Sequence, residues 1–307
     1  MPRLSTYFAL STFHFALVQC HRPLRLDYDS GPMSESIVAL EIAEIEALTD
    51  LYRAASAEVV AASGLSVGSV GDAVLIAVNR FDVLALNRLI GLGLRSSPSD
   101  GALADAINAI EQTGSPRCFV QIAPTGAAEG LGARLERVGL RRYNNWMRLR
   151  RGLDDLPDAS THSPDVRRIG AAEARVFGHL VATAFDYPPA IAPLASQTIG
   201  RPHWHHYLAF EGDTPIASGA MYIAGEAAWF GFAATDAAHR KRGAQQALIL
   251  RRLEDAADAG CKWVSVETAE DTVTRDAPSF RNLCRLGFEI AYGRPNYLWV
   301  RAAAPIA

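Results

Sequence analysis

The two halves of this chain end in the same way, and that repetition constrains its fold more than any other feature. "LERVGLRRYNNWMRLRR" begins at Leu135 and "LCRLGFEIAYGRPNYLWVRA" begins at Leu283. Upstream of them, "CFVQIAP" at 118–124 matches "WVSVETA" at 263–269 in kind. Each reads as strand, helix, glycine, strand, in the same order, which is the signature of an internal duplication at domain scale. A length of 307 residues agrees, since it holds about two domains of ~150 residues. The polar, proline-bearing stretch 151–164 reads as the linker between residues 33–150 and 165–307. Residues 1–32 read as an N-terminal extension. Their apolar part is short, is interrupted by Thr12 and His14, and lacks a clean cleavage site.

Within the first half, 35–62 shows helical periodicity, "DAVLIAV" (72–78) and "LNRLIGLGL" (86–94) read as strands, and "SPSDG" opens a helix closed by Gly114. Within the second half, 207–235 reads as three strands joined by "EGDTP" and "AGE". A helix over 242–259, a strand, a helix and a closing strand follow. The halves differ most where the second carries "HRKRGAQ" (239–245) and the first carries "RSSPSDG" (95–101).

That basic stretch stands between a strand and an amphipathic helix. The first turn of a helix has N–H groups without intrahelical partners and carries partial positive charge. Arg240, Lys241 and Arg242 oppose that charge unless an anion offsets them, and Gly243 lets a ligand approach the backbone. The pattern is physically a phosphate cradle. The GxGxxG and GxxxxGK[ST] forms are absent, which disfavours a dinucleotide or P-loop nucleotide and so a nucleotide-binding regulator. The formal net charge is −3, so any anion site is local, and no global basic field points to nucleic acid or a membrane surface. Cys20, Cys118, Cys261 and Cys284 are scattered without metal-like spacing, as expected of free thiols in the cytoplasm. No apolar run approaches the ~20 residues of a membrane span.

"RKRGAQ", with the strand before it and the helix after it, resembles the Q/R-x-x-G-x-G/A signature of the GCN5-related N-acetyltransferases (GNAT). "SFRNLCRLGF" and its closing strand resemble that family's C-terminal motif. The resemblance covers 165–303 well and 35–150 in degenerate form. It implies an α/β (α+β) protein of two GNAT-like domains, each a mixed, mostly antiparallel sheet flanked by helices. It implies acetyl-CoA, or another acyl-CoA, as donor and a primary amine, of a small molecule or a protein lysine, as acceptor. The implied cofactor residues are Ala233, Ala234 and Thr235 on the strand, Arg240, Lys241, Arg242, Gly243, Ala244, Gln245 and Gln246 at the helix start, and Ser279 and Asn282 on the next helix. Gln245 departs from the family's Gly or Ala.

Acyl transfer to an amine needs positioning, a polarised carbonyl, a base and an acid. Glu267, on a strand near the implied cofactor, is the candidate base. Many family members carry a tyrosine four residues before the glycine of "GF", where this chain has Leu283, so Tyr297 and Tyr292 are the substitutes nearest in sequence. His239 reads as a helix-start residue. "HWHH" (203–206) does not read as a metal site, because a strand there points His205 and His206 to opposite faces. Trp204 and Tyr187 read equally as acceptor-pocket walls or core. Against an enzyme stands a non-catalytic acyl-CoA-binding or scaffold protein, suggested by Leu283 and the degenerate first half. Oligomeric state is open.

Overall fold

The computed structural model describes residues 32–157, 164–273 and 276–302. Residues 1–31 of the expected extension and 158–163 of the expected linker lie outside them. The first half runs α1 (Pro32–Arg53), α2 (Ala57–Ser63), β1 (Leu65–Val70), β2 (Ala73–Val78), β3 (Arg88–Ile90), α3 (Asp100–Gln112), β4 (Arg117–Gln121), α4 (Leu131–Arg137) and β5 (Arg141–Gly152). The second runs β6 (Asp165–Arg168), α5 (Ala174–Ala184), β7 (Trp204–Glu211), β8 (Thr214–Ala224), β9 (Ala227–Thr235), α6 (Ala244–Asp258), β10 (Trp263–Ala269), α7 (Pro278–Arg285) and β11 (Glu289–Val300). From β1 onward the first series repeats in the second from β7 onward. In both, one pair is parallel, β3 with β4 and β9 with β10, and the remaining pairings are antiparallel.

The strands form a single sheet in the order β1-β2-β3-β4-β11-β5-β10-β9-β8-β7-β6. The halves have exchanged their last strands: β11 inserts between β4 and β5, and β5 inserts between β11 and β10. Neither half therefore presents an open edge to the other, since each long terminal strand finds backbone partners on both sides. One face is covered by α1, α2 and α5. Its apolar cluster joins Leu48, Leu51, Ile76 and Val78 of the first half to Trp204, Leu208, Ala220 and Trp229 of the second. Helix α1 packs on β8 and β9 as well as on β1 and β2. On the opposite face, α3 and α4 cover the first half, and α6 and α7 cover the second. The two domains expected from the sequence thus share a sheet and a core.

Local departures have local causes. The periodic stretch 35–62 breaks after Arg53, and Ser56 starts α2 by accepting a hydrogen bond from the Val59 N–H. The expected strand 86–94 shrinks to Arg88–Ile90 because Gly91 and Gly93 take left-handed φ values of +90° and +73°. Strand β1, "LSVGSV", was not foreseen, since Gly68 and two serines blur its alternation.

Candidate functional site

The site begins where two parallel strands part. β9 and β10 pair from Ala227/Trp263 to Phe230/Val266 and no further, although β9 continues to Thr235 and β10 to Ala269. β9 is pushed aside by a bulge opposite β8, between the Ser218/Ala234 and Ala220/Gly231 pairs. Phe232 in the bulge holds φ at +52°, and its carbonyl accepts from Ser218 Oγ at 3.1 Å. A bulky residue in that region costs energy, and such strain concentrates at working sites.

The loop after β9 carries the basic stretch. Lys241 sits at φ +65° and Gly243 at φ +84°, and Gly243 starts α6 with no side-chain cap and no acid in the first turn. The first N–H groups of α6 are thus without a side-chain acceptor from the cap. Left-handed turns before a helix form a concavity of N–H groups suited to an anion. These walls enclose a cavity of about 660 Å³. Arg240, Lys241, Arg252, Arg281 and Arg285 line it, and no described Asp or Glu does. In a chain of net charge −3 this is a local cationic site.

The corresponding place in the first half is built the opposite way. α3 starts at Ser99, whose side chain accepts from the Ala102 N–H at 3.1 Å, and Asp100 puts a carboxylate in the first turn. The loop before it is closed by buried Leu92 and Leu94, and a Cβ on Gly93 would lie 2.9 Å from Leu131. A side-chain cap and a first-turn carboxylate thus stand where α6 has neither.

Ala233, Ala234, Thr235, Arg240, Lys241, Gly243, Ala244, Gln245, Gln246, Ser279 and Asn282, all expected at a cofactor from the sequence, come together around this cavity. Arg242 does not send its side chain there. Its guanidinium points to the other side of the loop, 2.9 Å from Glu211. Gln245 is a linking residue: its Oε1 accepts from Asn282 Nδ2 at 2.8 Å and ties α6 to α7. The sequence reading missed Arg252, Arg281 and Arg285. Arg281 is oriented by Asp271 at 2.9 Å, and only the spacing of α7 hinted at it.

The catalytic candidates need correction. Tyr297 lies in the first-half core and lines a separate cavity of about 550 Å³ beside Gly132 and Arg142. Tyr292 is buried, and its hydroxyl donates to Glu41. Neither lines the cationic cavity, because the strand exchange carries β11 into the first half. Glu267 stands just past the last β9/β10 pair, at the fork, as a strand-end residue would. It is engaged there by Arg294 and by Arg88 Nη1 at 3.4 Å. Two guanidinium groups thus already engage its carboxylate oxygens.

Glu267 is the most accessible member of a buried network beneath α1. Arg294 also holds Glu41 at 2.9 Å and Glu44 at 2.7 Å, Arg148 holds Glu44 at 2.9 Å, and Arg88 holds Glu44 at 3.2 Å. Three arginines balance three glutamates. Burial pushes the Glu44 carboxyl up, but the guanidinium groups of Arg294, Arg148 and Arg88 outweigh it and hold it down at about 2. The "HWHH" stretch behaves as the strand reading implied: His206 is buried against Thr198 and Trp204, and His205 is only partly buried on the other face. Among the described residues no group of His, Cys, Asp and Glu could hold a metal ion. Trp204 is core, with Nε1 donating to Asp50 at 2.9 Å. No described helix is long and apolar enough to cross a membrane.

A fork of parallel strands thus stands beside an uncapped helix start ringed by cationic side chains. Comparison with solved structures places the fold. A GCN5-related N-acetyltransferase from Kribbella flavida matches at a TM-score of 0.59 with 17% identity, over 90% of this chain and 98% of that one. A GCN5-related N-acetyltransferase from Sphaerobacter thermophilus matches at 0.53 with 18% identity, over 87% and 94%. A tandem GNAT protein from the clavulanic acid biosynthesis pathway matches at 0.52 with 15% identity, over 76% and 79%. The chain therefore has the fold of the GCN5-related N-acetyltransferases. No family model matches it, and no curated protein matches it in sequence.

Proposed function

We propose that this protein is an N-acyltransferase that moves the acyl group of acetyl-CoA, or of another acyl-CoA, directly to a primary amine. The observation that carries the reading is the cavity wall: five cationic side chains, no carboxylate, and the uncapped start of α6 meet at the opening between β9 and β10. The backbone N–H groups of residues 242–246, with Arg240 and Lys241, would hold the pyrophosphate. Backbone groups of Ala233, Ala234 and Thr235, beyond the last β9/β10 pair, would hold the pantetheine arm as an added strand. The bound donor would supply an activated thioester. The chain's own contribution is mostly positioning. The fork would fix the approach line, beside the bulge where Phe232 holds φ at +52°. Glu267 acts here as a positioning anchor of the fork, through Arg294 and Arg88.

The test is calorimetric titration of the full chain with acetyl-CoA, beside an Arg240→Ala/Gly243→Asp variant. Binding in the micromolar range that the variant loses supports the reading. Absence of binding by the folded parent chain overturns it. A second reading, a non-catalytic acyl-CoA-binding protein, is favoured by the ion-paired Glu267 and by Leu283 at the family's tyrosine position. Cofactor binding without transfer to any member of an amine panel, and without slow thioester hydrolysis, would select it.

A further inference from the structure

Arg252 has no place in a simple phosphate cradle. It is on the third turn of α6 and only 1% exposed, yet it lines the cationic cavity. Its Nε donates to the Leu248 carbonyl at 2.9 Å and its Nη1 to the Ala220 carbonyl at 3.1 Å, which accounts for two of its three nitrogens. No described carboxylate lies within ion-pair distance. The neighbouring Asp255 is engaged elsewhere, by Arg251 at 2.9 Å and the Tyr207 hydroxyl at 2.6 Å. A buried cation without a counter-charge is costly, and burial pulls the Arg252 guanidinium down to about 10, still charged at neutral pH.

The surroundings nevertheless make room for it. Gly219 has no side chain where a Cβ would lie 3.0 Å from the guanidinium carbon, and Phe230 presents its ring at 4.4 Å. A helix rises about 1.5 Å per residue, so Arg252 lies about 13 Å further along α6 than Gly243. That is toward the acyl end of a ligand whose phosphates sit at the helix start. Ser218, next to Gly219, places the same wall beside the strained bulge.

We propose that Arg252 recognises a carboxylate on the acyl group, so that the preferred donor is a carboxyacyl-CoA of the malonyl or succinyl type. This inference rests on the acyl-CoA reading above. A buried guanidinium in the cavity wall gives a donor that carries a carboxylate the charge-assisted hydrogen bonds that a plain acetyl group lacks.

The test compares two stable thioethers, S-(2-carboxyethyl)-CoA and S-propyl-CoA, with free CoA, by calorimetry on the full chain and on Arg252→Met and Arg252→Lys, each checked by thermal unfolding. The expected result is a preference of roughly 10- to 100-fold for the carboxylated thioether in the parent chain. Arg252→Met should collapse that ratio toward one, and Arg252→Lys should keep part of it. If the methionine variant fails to fold, the parent ratio decides. Equal affinity of the two thioethers, or a preference for propyl, overturns the proposal. So does a methionine variant that weakens all three ligands by one factor and leaves the ratio intact, since Arg252 would then serve the common CoA portion. A preference for carboxylated amine acceptors, without one between the thioethers, assigns Arg252 to the acceptor and likewise overturns it. If the folded chain binds none of the three, the acyl-CoA reading itself falls.

Discussion

Replacing Arg294 by methionine should destabilise the protein severely, because its charge is the hub of the network beneath α1. Arg294 is fully buried and contacts Glu41, Glu44 and Glu267. Without it, three carboxylates face only Arg88 and Arg148. Breaking a buried pair by removing one partner costs about 3–5 kcal/mol, because the charge left behind stays desolvated. For a chain of this size that lowers Tm by roughly 6–20 °C. The control is Arg242→Met, which breaks a half-exposed surface pair with Glu211 and should cost under about 1 kcal/mol. Urea and thermal unfolding followed by circular dichroism read both. Adding Glu44→Gln to Arg294→Met restores the balance of charge, so the double variant should be less destabilised than the sum of the singles. The acid limb carries a second signature. The Glu44 carboxyl is depressed to about 2 from an ordinary 4.5, so the unfolded chain binds the proton first. Its contribution is intact above pH 4.5 and is lost as pH falls toward 2, on the order of 3 kcal/mol in all. An Arg294→Met protein within about 1 kcal/mol of the parent would refute the reasoning.

Three further outcomes follow from particular contacts. A fragment of residues 164–307 should fail to melt cooperatively, because it lacks β5, the antiparallel partner of β10 from Trp263 to Ala269, and lacks α1 over β9; a sharp thermal transition with native near-ultraviolet dichroism would contradict this. Gly178→Ala should destabilise by about 1–3 kcal/mol or more, since its Cβ would lie 2.3 Å from the Ala192 carbonyl oxygen; a change below about 0.5 kcal/mol in denaturant unfolding would count against the tight packing of α5. Burial lowers the His206 imidazole to about 3 from 6.5, so stability should be full above pH 6.5 and fall by about 1.4 kcal/mol per pH unit below it, with a contribution of the same sign from His205; His206→Asn should flatten the slope between pH 6.5 and 4.5, and an unchanged slope would reject the assignment.

The sequence by itself determined the features whose causes are local. The repeated strand–helix–glycine–strand endings fixed the order of elements in both halves, because periodicity and turn residues act over a few positions. The cationic, uncapped start of α6 was legible from "HRKRGAQ", since a glycine and a cluster of cations stand there where the helix begins. The contrast with Ser99 and Asp100 in the first half was legible for the same reason. What only the tertiary structure decided is pairing. A strand's pattern of residues does not name its neighbour, so nothing in β5 or β11 announced that each would lie in the other half's sheet. That exchange placed Tyr297 away from the cationic cavity and set Arg294 under α1. Glu267 read as a candidate base or a strand-end carboxylate paired with an arginine, but the partners, Arg88 and Arg294, stand far away in the chain and could not be named. Arg252 stands within the stretch that read as an amphipathic helix, and nothing in the sequence singled it out. Packing against β8 and β9 turned it inward, into the wall of the cationic cavity and with no described carboxylate within ion-pair distance.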